Sequence, residues 1–264
     1  MNDHDVLNGS MNDDQSAAPT AVAPREGDAF GAALLAHHRD GEQAGRHVLE
    51  RDDGRIEAMS AAGYFADPDA WLPAERRVLD LARGRVLDIG AGAGRFALEL
   101  IERGHEVTAL DVSNGALEVC RERGVSDVYH GTVFDLAAAG PERYDTFLLM
   151  GGNLGLLESA EHGPRFLQAL EAMAVPGAVV LGIGMDPFDT DDPDHLAYHE
   201  FNRSRGRAAG AVLLRVRYRR LATPWFEHLL QPTADLAAMA EAGGWRLGDV
   251  ADEPPWYLAT LRQE

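Results

Sequence analysis

From Arg85 onward the apolar residues fall into short runs separated by stretches of helical period. Arg85–Ile89, Glu106–Leu110, Asp127–His130, Thr146–Met150 and Ala178–Ile183 have strand length and are rich in Val, Leu and Ile. Between them, Gly94–Glu102, Asn114–Arg121 and Pro164–Met173 place apolar side chains on one helical face. Strands alternating with helices predict an α/β domain with a mostly parallel sheet covered on both faces. Trp245–Val250 and Tyr257–Leu261, after a helix at Pro232–Ala242 that Gly243-Gly244 ends, predict an antiparallel C-terminal strand pair.

The flanking regions follow other patterns. Asp28 can cap a helix carrying Phe30, Leu34, Leu35 and His38 on one face. His47–Glu57 reads as two extended pieces around an Asp53-Gly54 turn, and Pro73–Leu81 as a short helix. Met185–Glu200, with five Asp, predicts a loop leading into a short helix. In Arg203–Arg220, Leu214, Val216 and Tyr218 alternate with Arg215, Arg217 and Arg219, the signature of a strand with one wet face. The expected organisation is a disordered acidic tail at 1–27, a helical N-terminal cap at 28–83, and an α/β domain at 84–264 with a lid insertion at about 185–210.

The sharpest local signal is Val86-Leu-Asp-Ile-Gly-Ala-Gly-Ala-Gly-Arg-Phe96, a strand running into three alternating glycines and then a helix. Glycines there allow a sharp turn and close approach of a ligand, and the helix start offers free amides. Asp111 ends the next strand, where an acid suits a ribose diol. A dinucleotide site needs a glycine where Arg95 stands, and Asp88 beside the turn suits a cationic ligand better than a pyrophosphate.

Composition narrows the chemistry. All 24 basic residues are Arg, against 43 acidic ones, for a net charge of -19. Without Lys there is no Schiff-base or P-loop lysine. A surface this acidic repels phosphate backbones, so no nucleic-acid partner is expected. The single cysteine, Cys120, excludes an intrachain disulfide framework, and no metal site is expected. No apolar run is long enough to span a bilayer and the first residues are acidic, so no membrane partner and a cytoplasmic location are expected.

Asp88-Ile-Gly-Ala-Gly-Ala-Gly94, Val107-Thr-Ala-Leu-Asp-Val-Ser113 and Tyr144-Asp-Thr-Phe-Leu-Leu-Met-Gly-Gly-Asn153 resemble the motifs of class I S-adenosylmethionine-dependent methyltransferases. The resemblance covers roughly residues 70 to 262. More narrowly, Tyr64-Phe65, Glu75-Arg-Arg77, Gly152-Asn-Leu-Gly155 and His199-Glu-Phe-Asn-Arg203 look like small-molecule, natural-product enzymes of actinobacteria, and the absence of Lys suits a GC-rich genome. The resemblance implies a Rossmann-like seven-stranded sheet. It also implies S-adenosyl-L-methionine as cofactor, transfer to an O, N or C nucleophile of a small molecule, and a chain that acts alone or as a homodimer. It implies cofactor contacts at Asp88, Gly90, Ala91, Gly92, Gly94, Asp111, Val112 and Gly151. In the adenine loop it points to Val133, Phe134 and Asp135, the last for the base amine.

Two lid segments, Tyr64–Trp71 and His195–His228, are expected to wall the acceptor with Tyr64, Phe65, Trp71, Trp225 and Phe226. Asn153, at the end of the fourth strand, is placed to orient it. His199 and His228 are the imidazoles available as a base. Three alternatives stay open: an enzyme of this fold that no longer transfers methyl, a non-enzymatic partner subunit, and a nicotinamide oxidoreductase. The leading reading predicts that S-adenosylmethionine or S-adenosylhomocysteine binds one site per chain in calorimetry, with no uptake of NAD.

Overall fold

The computed structural model describes residues 24–140 and 142–263. The chain begins with β1 (Arg25–Glu26), α1 (Ala29–Asp40), β2 (Arg46–Arg51), β3 (Ile56–Ser60) and α2 (Pro73–Leu81). Regular alternation follows in β4 (Arg85–Ile89), α3 (Arg95–Glu102), β5 (Glu106–Asp111), α4 (Asn114–Arg123), β6 (Asp127–His130), α5 (Val133–Ala139), β7 (Tyr144–Leu149), α6 (His162–Ala172) and β8 (Ala174–Met185). The last third holds α7 (Pro193–Ser204), β9 (Ala211–Tyr218), β10 (Leu221–Ala222), β11 (Phe226–Leu229), α8 (Thr233–Ala242), β12 (Trp245–Glu253) and β13 (Trp256–Gln263).

The main sheet is Rossmann-like, with strand order β12-β13-β8-β7-β4-β5-β6 among the described residues. Strands β8, β7, β4, β5 and β6 run parallel; β13 runs antiparallel to β8, and β12, antiparallel to β13, again runs with the others. The parallel strands are apolar on both faces because helices cover both. One core collects Leu87, Phe147, Leu149, Leu167 and Trp245, and the other collects Val86, Phe96, Leu100, Leu148 and Leu181. Strand β4 lies between β5 and β7, so the chain order reverses there. The turns after β4 and β7 diverge at such a switch point and leave a crevice at the strand C-termini.

A second sheet, order β1-β10-β9-β2-β3 with β11 also on β9, lies outside the main one. It corrects the expectation of a purely helical cap at 28–83, since β2 and β3 join strands from 211–229; α7 lies within the insertion expected at about 185–210. The β2–β3 hairpin forms around Asp53-Gly54 as the turn residues predict. A lone two-stranded hairpin is marginal in water, however. Strand β9 completes it by pairing Val48–Arg51 with Arg217–Leu214. The cap is therefore a sheet built from two distant segments, and the insertion contributes through Leu229. The alternation in β9 sorts its faces: Val216 and Tyr218 pack on Ala29 and Ala33 of α1, while Arg215 and Arg217 both pair with Glu50.

Residues 1–23 of the expected tail lie outside the described residues, but Arg25–Gly27 is tied down. Strand β1 pairs with β10, and the amides of Arg25 and Gly27 donate to the carbonyls of Arg220 and Ala222. No helix among the described residues is long and apolar enough to cross a membrane.

Trp245 anchors the junction of the main sheet with α6. It is fully buried, its ring meets Phe147 edge-on at 6.1 Å, and its Nε1 donates to the Leu167 carbonyl at 2.9 Å. Trp245→Ala is expected to cost about 3–5 kcal/mol through lost burial and a cavity, read as a lower urea midpoint with an unchanged slope.

Candidate active site

The glycine turn sits where β4 ends at the switch point. Gly90, Gly92 and Gly94 have φ of 70°, 58° and 76°, the left-handed region where a side chain is strained. There is also no room for one. A Cβ on Gly90 would lie 2.5 Å from Asn153 Nδ2, and one on Gly92 would press on the Tyr64 ring at 3.2 Å. The turn is pinned from below, since the Gly90 and Ala91 amides donate to the Leu110 carbonyl at 2.8 and 3.1 Å. Asn153 pins it from the β7 side, its Nδ2 donating to the carbonyls of Ile89 and Gly90 at 2.9 and 3.0 Å. Asn153 thus braces the glycine turn through its Nδ2, a role the expectation of acceptor orientation did not include.

Two buried carboxylates meet at this turn. Asp111 Oδ2 accepts from the Gly92 amide at 3.0 Å and Oδ1 from the Ser113 amide at 2.8 Å. Burial nonetheless pushes its pKa up to about 6, because these amides offset only part of the desolvation. Asp88 is pushed up to about 7 by burial first and by the Asp111 charge second, with Arg95 opposing. Its Oδ2 is buried without a hydrogen-bond partner among the described residues. Arg95 opens α3 and pairs with buried Glu75 at 2.5 Å, with its guanidinium over the Trp71 and Phe96 rings. It also reaches the β7 turn, since a Cβ on Gly151 would lie 3.8 Å from its Nη2. Reading Arg95 only as a missing glycine overlooks this role; the Glu75-Arg-Arg77 motif was the available signal.

Beyond Asp111, Val112 is 66% exposed, an apolar side chain left uncovered beside a buried acid. The neighbouring loop is a helix that the apolar pattern did not reveal. Thr132 and Asp135 form a reciprocal capping box at the start of α5, the Thr132 amide donating to Asp135 Oδ2 at 2.8 Å. The capping box changes the expectation for Asp135 alone. Hydrogen bonds from Thr132 hold Asp135 below the usual carboxylate range, so this carboxylate caps its own helix; Val133 turns into the core and Phe134 packs edge-on against His162 and Phe166, the packing expected of that stretch.

The cap sheet roofs the crevice. Phe226 pairs with Leu214 and His228 with Val212, so both share the sheet face that α1 packs on. The His228 ring occupies the space a side chain on Gly155 would need, directly over the turn after β7. Burial lowers its pKa to about 4, so it is neutral at pH 7. Tyr64 covers Gly92, and burial raises its pKa. The other expected wall residues go elsewhere. Trp71 is buried in the core with Nε1 donating to the Ala66 carbonyl. Phe65 stacks on His37 at 4.4 Å, and Trp225 lies over Arg215 on the outer face of the cap. His199 is buried on α7 against Phe188, its pKa lowered by burial and then by Arg203. Cys120 donates to the Gly92 carbonyl from beneath the turn, its thiol pushed up to about 12 by burial.

This donor set fits one kind of ligand: a diol for Asp111, a flat apolar group for Val112, and an ammonium for the unpartnered oxygen of Asp88. Among the described residues no three His, Cys, Asp or Glu side chains cluster to hold a metal ion.

The chain is similar to known methyltransferases in sequence and fold. The methyltransferase domain family matches residues 86–177. A ubiquinone biosynthesis O-methyltransferase from Xanthomonas euvesicatoria pv. vesicatoria is 30% identical over 191 residues, which is 67% of this chain and 70% of that enzyme. An uncharacterized methyltransferase from Staphylococcus carnosus is 41% identical over 63 residues, and the chain spans only 30% of that relative. Among solved structures, a SAM-dependent methyltransferase from Bacteroides fragilis in complex with S-adenosyl-L-homocysteine superposes with a TM-score of 0.77 and 26% identity. That match covers 92% of this chain and 98% of the other.

The raised pKa of Asp88 fixes the sign of a pH effect. The folded state holds this proton more tightly than the unfolded chain, so the contribution is full below about pH 4 and is lost as pH rises through about 7. Asp88→Asn is neutral throughout. Its melting temperature is expected to gain on wild type between pH 5 and pH 8, and a gap independent of pH would show that Asp88 carries no such penalty.

Proposed function

The chain belongs to the class I S-adenosylmethionine-dependent methyltransferases, and from that premise we propose that its acceptor atom is a hydroxyl oxygen, faced by His228 beneath the cap. Methyl transfer from S-adenosylmethionine to a small molecule is its activity. In this reading the turn at Gly90, Ala91, Gly92 and Gly94 holds the amino-acid end of the cofactor, and Asp88 faces its ammonium. Asp111 accepts from the ribose hydroxyls, Val112 lies against the base, and Gly151 borders the methionine end. The bound cofactor supplies a methyl carbon on a sulfonium, already a strong electrophile.

The observation that carries the reading is the placement of a neutral imidazole between cap and sheet, over Gly155 and beside Phe226. A neutral ring accepts a hydrogen bond from a hydroxyl and takes its proton as the oxygen is alkylated. Tyr64 and Phe226 exclude water and favour a planar or apolar acceptor. The Xanthomonas relative, an O-methyltransferase by name, supports oxygen over nitrogen or carbon. His199 is set farther back, in the packing of α7 with Phe188, and serves as a wall residue.

The finer assignment is to natural-product metabolism of an actinobacterium, in the cytoplasm, with the small molecule as partner, no nucleic acid, and association as a homodimer. It rests on the narrower motifs and on an arginine-only set of basic residues.

Methyl-labelled cofactor offered with phenols, amines and carbon acids is expected to label a phenol oxygen. His228→Ala should lower single-turnover transfer by about 10²–10⁴ and leave S-adenosylhomocysteine affinity unchanged. His199→Ala should change transfer and melting temperature together and modestly. Wild-type transfer by His228→Ala would remove the imidazole from the reaction.

A further inference from the structure

Asp28 does more than cap one helix. Its Oδ1 accepts from the Gly31 amide at 2.8 Å, the ordinary start of α1. The same carboxylate reaches across to α4, accepting from Ser113 Oγ at 2.9 Å and from the Gly115 amide at 2.9 Å. Two helices distant in sequence thus begin on one carboxylate. They also touch backbone to backbone: a Cβ on Gly31 would lie 2.7 Å from Gly115 Cα, and one on Gly115 would lie 2.6 Å from the Gly31 carbonyl carbon.

Ser113 is the link to the cofactor site. Its Oγ accepts from the Ala116 amide at 3.0 Å and so caps α4, while its own amide donates to Asp111. From Asp28 the cap helix leads the other way. Phe30, two residues on, meets the Tyr64 ring edge-on at 5.1 Å. Tyr64 covers Gly92, and the Gly92 amide donates to the second oxygen of Asp111. The contacts therefore close a ring: Asp111, Gly92, Tyr64, Phe30, Asp28, Ser113 and back to Asp111. Each oxygen of Asp111 is held by a turn that α1 braces.

We infer that Asp28 is a positioning residue for cofactor binding, tying the orientation of Asp111 to the seating of α1 so that ribose recognition and closure of the cap are one coupled event. The inference rests on the reading of Asp111 as the ribose acid. Loss of the Asp28 link frees the start of α4 and lets α1 lift, which loosens both turns that aim the Asp111 oxygens. It also loosens Tyr64 in the roof.

The test is a double-mutant cycle on S-adenosylhomocysteine affinity by calorimetry, with melting temperatures recorded alongside. Asp111→Asn is expected to weaken binding about tenfold to a hundredfold. Asp28→Ala and Ser113→Ala are each expected to weaken it about tenfold in the wild-type background, and about twofold or less when Asp111 is already Asn. A purely structural Asp28 would cost the same factor in both backgrounds, and that result overturns the inference. Unchanged affinity in Asp28→Ala and Ser113→Ala, with Asp111→Asn weakened, overturns it while leaving the ribose reading intact. Unchanged affinity in Asp111→Asn overturns the ribose reading and the coupling with it. If Asp28→Ala does not fold, Ser113→Ala decides alone, since it leaves the Asp28–Gly31 cap in place.

Discussion

A carboxylate buried at the end of β5 must be satisfied or it destabilises the fold, because desolvating an unpaired charge costs several kcal/mol. Asp111 meets this constraint with two backbone amides from different turns, one after β4 and one at the start of α4. Much of the local structure follows. The β4 turn must present its Gly92 amide sideways, which needs a left-handed residue. The chain after β5 must turn at once into a helix, which needs Ser113 as a cap. Both turns must be kept from water, which brings Tyr64 and α1 over them. The penalty that remains is visible in the raised pKa values of Asp111 and Asp88. It is the condition in which a ligand carrying hydroxyls and an ammonium gains most.

The cap answers a different need. An open parallel sheet binds at its strand C-termini but supplies no wall there. In this chain the wall is a sheet whose strands come from the segment before β4 and from the insertion between β8 and β12. Its inner face carries Phe226 and His228, and its outer face carries the Arg215 and Arg217 pairs with Glu50. Because β2 and β9 are more than 150 residues apart, their pairing closes a long stretch of chain and adds to the loop-closure entropy of the fold.

The parts legible in the sequence were those coded locally. Alternating apolar runs gave the parallel strands, Asp53-Gly54 gave the hairpin, and the strand–glycine–helix signature with an acid after the next strand located the glycine turn at the end of β4 and the carboxylate that meets it. The wet and dry faces of β9 were also readable, since a period of two sorts side chains without regard to what covers them. Tertiary structure alone decided what covers the dry face, and so turned a helical cap into a two-segment sheet. It sorted the aromatic residues too: Trp71 to the core, Phe65 onto His37, Trp225 outward and Phe226 inward. The same holds for polar groups of unfixed range. Asn153 could serve an acceptor or a backbone, and Asp135 could serve a base or its own helix. A side chain's type and spacing state what it can bond. Which partner stands within 3 Å is set by elements far away in the chain, and period and motif carry no information about them.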